Sequence, residues 1–384
     1  MSYDQGIYRL LQRHLDQQPL GFPATVLGSD IRFLRRMFTT DEAKVALHLS
    51  YKPAPIDQIT AKTRPIFSSR QTEGLLESMS RKGSIGWKEK NKIGHWFLLP
   101  MVVGMYEAPA GKPSPEFLKD ADAYMRTISF GKAFMHAKPS QMRTIPINKS
   151  ISASHPVATY NQIRGLILNA HGPFVLLPCI CREKKAIRGN PCTKTARKET
   201  CFAMNSVGAL VLRRGHGREV SLDEALELFR QSEADGLVLQ PSNAEQPEFV
   251  CSCCGCCCGM LTYQKFLPNP VDFWTNQYQA VVDPAACKYC GRCVTRCQVN
   301  AVTLSGPNSK ATVNLSRCIG CGLCVPTCPA KAVSLSAKPL KMPIPKNDEA
   351  LYDEIMKNKK STWSQWADFF QTVMRIKKPW ARRP

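Results

Sequence analysis

Cysteine is the residue whose placement in this chain could do chemistry: there are 18 in 384 residues, and the first is Cys179. Eight form two copies of one spacing, Cys287-x2-Cys290-x2-Cys293-x3-Cys297 and Cys318-x2-Cys321-x2-Cys324-x3-Cys328, the second followed by Pro329. Three thiolates two residues apart can wrap a loop around one iron-sulfur cubane, while the fourth sits on a short helix that leads it to the other cluster. The expected ligand sets are therefore crossed. Cys287, Cys290, Cys293 and Cys328 take one 4Fe-4S cluster; Cys318, Cys321, Cys324 and Cys297 take the other. Zinc is the competing chemistry of CxxC units, but it does not need the third and fourth cysteines at this regular spacing.

The other ten cysteines fall into two groups. Cys179-Ile-Cys181-Arg182, then Cys192 after Gly-Asn-Pro, then Cys201, place four thiols in a loop-rich stretch. In a reducing compartment such thiols have no stabilising role as disulfides, and a Cys-x-Cys pair projects two sulfurs from a strand end. A third 4Fe-4S cluster is expected on Cys179, Cys181, Cys192 and Cys201, with zinc or no metal as the alternatives, and Arg182 could donate to a cluster sulfur. Downstream, CSCCGCCCG packs Cys251, Cys253, Cys254, Cys256, Cys257 and Cys258 into a single short run. So short a stretch cannot direct all of these thiolates onto one cubane, so some must point elsewhere or stay free, as candidates for a further metal or for redox thiols.

The stretch from Cys287 to Cys328 closely resembles the bacterial two-cluster ferredoxins, and both full motifs carry the likeness. It departs at Gln298, where the first repeat usually has proline. It also departs in charge: Lys288, Arg292, Arg296, Lys310 and Arg317 lie between the end cysteines, with no Asp or Glu. Freely diffusing ferredoxins are usually acidic, so this stretch reads as a built-in module. Lys288, Arg292 and Arg296 predict the higher potential for the cluster on Cys287, Cys290 and Cys293. Over residues 150–335, the order CICR, Cys, Cys, a capped helix, a GLV strand, CCGCCC and a ferredoxin motif resembles a family of 4Fe-4S dicluster-domain proteins from anaerobic microbes. That resemblance implies electron transfer. Members often carry a histidine after the GLV strand, where this chain has Leu239, so any ligand role there is lost.

Four regions must position these thiols, in an α+β chain: a winged-helix-like domain at 1–106, a small cysteine-rich α/β domain at 107–275, a two-cluster ferredoxin-like domain at 276–338 and an amphipathic helical tail at 339–384. In the first, Thr40 with DEAKVALHLS, Pro55 to Thr63, and Ser69 to Arg81 before Gly83 read as three helices, and SIGWKEKNKIGHWFLLPM as a hairpin. That order resembles the winged helix-turn-helix superfamily. Arg70, Arg81, Lys82, Lys88, Lys90 and Lys92 could meet DNA phosphates, although a docking domain with a solvated basic face is the favoured alternative. In the second region, Glu116 to Ala137 and Tyr160 to His171 read as helices, and Pro173 to Pro178 as the strand delivering Cys179. Ser221 caps a helix that ends at Gly236, before a strand at Leu237 to Gln240. In the tail, Leu351, Ile355, Trp363, Trp366, Phe369, Phe370 and Met374 recur at near-helical spacing, for packing on the chain itself, a partner's groove or an anionic membrane surface.

Composition bounds the partners. Fifty-two basic against 30 acidic residues give a formal charge of +22, and two thiolate-ligated clusters lower this to about +18. The excess suits a redox partner protein acidic at its contact. No leader-like apolar stretch opens the sequence, and the longest apolar run, Phe97 to Tyr106, is half the roughly twenty residues a membrane span needs. A reducing cytoplasm is expected. His155, His171 and His216 read as surface or hydrogen-bonding residues, and no phosphate loop or dinucleotide fingerprint is present. The sum is an electron-transfer protein or subunit that relays single electrons through two or more 4Fe-4S clusters to a partner oxidoreductase. A redox-responsive DNA-binding regulator and a thiol or disulfide reductase using the CCGCCC segment are the alternatives.

Overall fold

A computed structural model describes residues 3–150, 162–267, 269–306, 309–338, 343–361, 364–365 and 367. His155 and the tail positions Trp363, Trp366, Phe369, Phe370 and Met374 lie outside the described residues. Among the described residues, no helix is long and apolar enough to cross a membrane.

The chain begins with α1 (Tyr3–Asp16), α2 (Ser29–Met37), α3 (Thr40–Ala46), β1 (Ala54–Pro55), α4 (Ile56–Thr63), α5 (Ser69–Lys82), β2 (Ile85–Lys90) and β3 (Ile93–Leu98). Local chemistry sets these boundaries. Thr39, one residue before the expected cap, and Ser68 each close a capping box, with Glu42 and Gln71 respectively. α5 stops at Gly83, whose φ of 85° a side chain would strain and whose Cβ would lie 2.2 Å from that of Ala108. The three strands pair antiparallel in the order β1-β3-β2.

Next come α6 (Pro115–Met125), α7 (Ile128–His136), β4 (Arg143–Thr144), α8 (Ile163–Leu168), β5 (Phe174–Pro178), α9 (Ile180–Ile187), β6 (Glu199–Ala203), α10 (Asn205–Arg213), β7 (Arg218–Val220), α11 (Leu222–Asp235), β8 (Val238–Pro241), β9 (Phe249–Cys253) and α12 (Gly259–Phe266). Five of these strands make one sheet in the order β7-β5-β6-β9-β8, antiparallel throughout. The last set is β10 (Thr275–Asn276), β11 (Tyr278–Val282), α13 (Arg292–Arg296), β12 (Val302–Leu304), β13 (Ala311–Val313), β14 (Val333–Ala337) and α14 (Asp348–Lys357). With helices and mainly antiparallel strands mixed along its length, the chain is α+β.

Cores cross the expected region boundaries. Phe117, Leu118, Ala121 and Tyr124 of α6 join the core of α1–α5, and Phe22 stacks on Tyr124 at 4.3 Å between ring centroids. The prolines and glycines before α6 therefore turn the chain back onto the first core. A second core runs from Phe202 and Leu239 of the five-stranded sheet and Phe229 of α11 straight into Val299, Ile319 and Leu323 among the ferredoxin-type repeats. In the tail, Leu351 and Ile355 bury against Leu20 and Ala137.

Candidate metal centres

The duplicated cysteine spacing folds into a duplicated backbone. Tyr289 and Gly320 occupy the same place in each repeat and both have positive φ, 56° and 66°; Gly291 and Gly322 (69° and 74°) and Asn300 and Lys331 (56° and 50°) match likewise. In the second repeat these turns press on other chain, because a Cβ on Gly320 would lie 2.1 Å from the Tyr278 carbonyl oxygen. The turns bring the crossed sets together. Cys287, Cys290, Cys293 and Cys328 line one small cavity, bounded by Tyr289 and Gly291. Cys297 and Cys318 are among the nearest charges to Cys321 and Cys324.

The donors around both sets suit thiolates on a cluster. Ala301 N–H points at the Cys297 sulfur at 3.2 Å, and Ala332 N–H, at the matching place, at Cys328 at 3.3 Å. Ala280 N–H does the same for Cys318 at 3.3 Å. Such N–H···S bonds stabilise the ionised ligand and tune its potential. Backbone hydrogen bonds from Ala311 and Tyr289 lower the pKa of Cys287, whereas burial raises that of Cys318 and pushes that of Cys324 up to about 12. The two sets thus differ in setting: Cys290 is exposed, while Cys318 and Cys324 are buried.

The remaining ten thiols divide along lines that the spacing does not reveal. β6 and β9 pair Cys201 directly with Cys251, and Cys253, two residues on, shares the same sheet face. β5 ends at Pro178, so Cys179 and Cys181 enter from the first turn of α9, and Cys258 comes from the N-cap of α12. Their thiols are neighbours in a closed ring, each perturbing the titration of the two beside it: Cys179, Cys181, Cys258, Cys253, Cys251, Cys201 and back to Cys179. Hydrogen bonds from Cys181 and Cys201 hold Cys179 well below the usual thiol range, with Arg182 adding to the effect. The bonds that Cys181 and Cys201 give to Cys179, together with burial, push those two up. An all-sulfur, partly buried donor set that readily accepts one negative charge and resists the next is suited to cationic metal. It opens on a cavity of about 550 Å³, where Tyr106, Glu107, Phe130 and Trp274 face it.

Cys192 is not in that ring. The expected foursome of Cys179, Cys181, Cys192 and Cys201 is split, because the loop after α9 carries Cys192 outward while β6 brings Cys201 back beside β5. Cys192 meets Cys254, Cys256 and Cys257 instead, in the turn that follows β9. Strand alternation stops at Cys253, so the six cysteines of the CSCCGCCC run are shared out, Cys251, Cys253 and Cys258 to the ring and Cys254, Cys256 and Cys257 to the group with Cys192.

Two side chains outside the cysteines belong to these centres. Arg182 is buried, donates from Nη2 to the Ser252 carbonyl at 3.0 Å and pairs through Nη1 with Thr200. Gln298, next to Cys297, accepts the Gly255 N–H on its Oε1 at 2.9 Å and so joins the ferredoxin-type repeat to the CCGCCC turn. Its departure from the proline of the repeat was the one sequence sign of that contact. Arg296 is the opposite case: it donates to the Glu233 and Ala234 carbonyls at 2.8 Å and lies near Cys321, not beside the cysteines that precede it in sequence.

Residues 279–329 match the family described as 4Fe-4S dicluster domain. That segment is an iron-sulfur domain, and the match, with the cysteine-rich region beside it, supports an iron-sulfur electron-transfer role. No curated protein matches the chain.

Proposed function

We propose that this chain is an electron-transfer protein whose two ferredoxin-type cysteine sets hold two 4Fe-4S clusters, and that it passes single electrons between a partner oxidoreductase and an iron-sulfur group held by the six-thiol ring. When bound, such clusters supply one-electron redox chemistry. The observation that carries the proposal is the Gln298–Gly255 hydrogen bond, which fixes the inner ligand Cys297 against the CCGCCC turn. Residues grade inward along this line. Cys290 and Tyr289 are exposed, so the outer set offers the contact for a partner. Lys288 and Arg292 border that face in sequence, which favours a partner acidic there.

The first region supports docking better than DNA binding. Its order α3-β1-α4-α5-β2-β3, with the sheet order β1-β3-β2, fits a winged helix. Yet part of the face that would meet DNA is engaged by the chain itself. Arg214 donates to the Ser80 and Ile85 carbonyls at 2.9 Å, Arg213 stacks over Trp87 and pairs with Glu77, and Lys88 and Lys90 both pair with Glu349. A second reading, reduction of a small substrate at the ring, is favoured by the cavity that opens on it.

The test is an anaerobic redox titration of the full chain, followed by EPR. Reversible one-electron steps are expected, with roughly 8 iron atoms tied to the segment from Cys287 to Cys328. Cys293→Ser and Cys324→Ser should each alter a different step. Absence of any reversible iron signal would rule out the electron-transfer role.

A further inference from the structure

We infer that Cys192, Cys254, Cys256 and Cys257 form a separate site for a single zinc ion, which acts as a structural clasp. The sulfurs lie 3.6 Å (Cys192–Cys254), 3.7 Å (Cys192–Cys256), 3.4 Å (Cys254–Cys256) and 3.6 Å (Cys256–Cys257) apart. All four lie within 4.8 Å of one another. These spacings discriminate between ligand chemistries. A disulfide needs sulfurs at ~2.05 Å, and none of these pairs approaches that. Four ligands around one metal at a Zn–S distance of ~2.3 Å form a tetrahedron with edges of ~3.8 Å, close to what is observed. In a cubane each thiolate binds a different iron atom, so its ligand sulfurs stand further apart than those on one shared metal.

The local chain has the parts of a zinc knuckle. Cys254-Gly-Cys256-Cys257 contains a Cys-x-x-Cys unit. Lys194 N–H reaches the Cys192 sulfur at 3.5 Å. Four thiolates with a divalent ion carry a net charge of about −2, and the buried guanidinium of Arg182, which lies near Cys192 and Cys254, answers it. Leu237, fully buried, covers the inner side with Cys254 and Cys257. Ligands that are all sulfur, four in number and without an open position define a structural site. Zinc has no redox chemistry, so the ion would not compete for electrons. What it does is mechanical: it ties the loop carrying Cys192 to the turn that holds Gly255 against Gln298. The site stands independently of any electron-transfer role.

The full chain, produced anaerobically with both iron and zinc supplied, should contain one zinc per chain. Zinc K-edge absorption should show four sulfurs at ~2.3 Å and no neighbouring metal shell. Cys256→Ser should lose most of that zinc with iron content unchanged, whereas Cys253→Ser, in the ring, should keep it. The spectrum of the unaltered chain decides the matter even where a variant fails to fold. Zinc-free protein, oxygen or nitrogen in the zinc shell, or loss of iron from Cys256→Ser, whether one atom or about four, would each overturn the assignment.

Discussion

Replacing Gln298 by methionine isolates the contact between the iron-sulfur segment and the cysteine-rich turn. Gln298 is 3% exposed, so its amide is out of reach of water. Methionine has a similar length and apolar bulk but cannot accept the Gly255 N–H, which would be left buried without a partner. An orphaned donor of this kind costs about 1–3 kcal/mol, equivalent to a ~5- to ~150-fold rise in local opening. The assay is anaerobic hydrogen-deuterium exchange with mass spectrometry on a peptide covering 251–258. Its amides should exchange faster by that factor, while a peptide from β5 or β6 stays within experimental scatter. Iron content should hold, because Gln298 is not a ligand. A change below about twofold at 251–258 would mean that the bond contributes nothing to holding the turn.

Three further outcomes follow from the geometry. Arg296→Gln should lower the reduction potential associated with Cys318, Cys321, Cys324 and Cys297 more than that of the outer set, because the guanidinium lies near Cys321; an EPR titration with the larger shift on the outer set would contradict this. Burial raises the Glu107 carboxyl to about 7 despite the 2.8 Å bond from Gly104 N–H. The folded state therefore binds the extra proton, and stability should fall as pH rises from 4.5 to about 7, by no more than ~3 kcal/mol, then level off; Glu107→Gln should abolish that slope in urea unfolding curves. At physiological salt the full chain should bind DNA no tighter than the non-specific range of ~10⁻⁴ to ~10⁻⁶ M, since Lys82, Lys88 and Lys90 already have acidic partners within it; fluorescence anisotropy with duplexes of unrelated sequence checks this.

What was legible in the sequence was whatever local chemistry decides. The repeat of ligand spacing, the Ser221 cap, the Gly236 stop and the strand before Cys179 depend on a few neighbouring residues, and each is found in place. Long-range choices were not legible. Cys192 and Cys201 are nine positions apart, yet which metal group each joins depends on a loop excursion and on the β6–β9 register. Arg296 follows Cys293 in sequence, but the helix α13 turns it away toward the end of α11. The expected boundary at 107 assigns α6 to the second region, and only the buried faces of Phe117 and Tyr124 reveal which core it completes.

The shared core also separates a relay from a regulator. A regulator needs an element with two arrangements that the redox state can bias. Here Ile319 and Leu323, adjacent to the proposed cluster ligands, are buried in the same core as Phe202 and Leu239 of the cysteine-rich sheet and Phe229 of α11. Close-packed interiors do not slide without breaking many contacts at once. Arg317 adds to this by bonding the Gln264 and Leu267 carbonyls at the end of α12, at 3.1 and 3.0 Å. The iron-sulfur segment and the thiol ring are therefore held at one fixed separation. Fixed spacing between redox centres is what a relay requires and what a switch must give up.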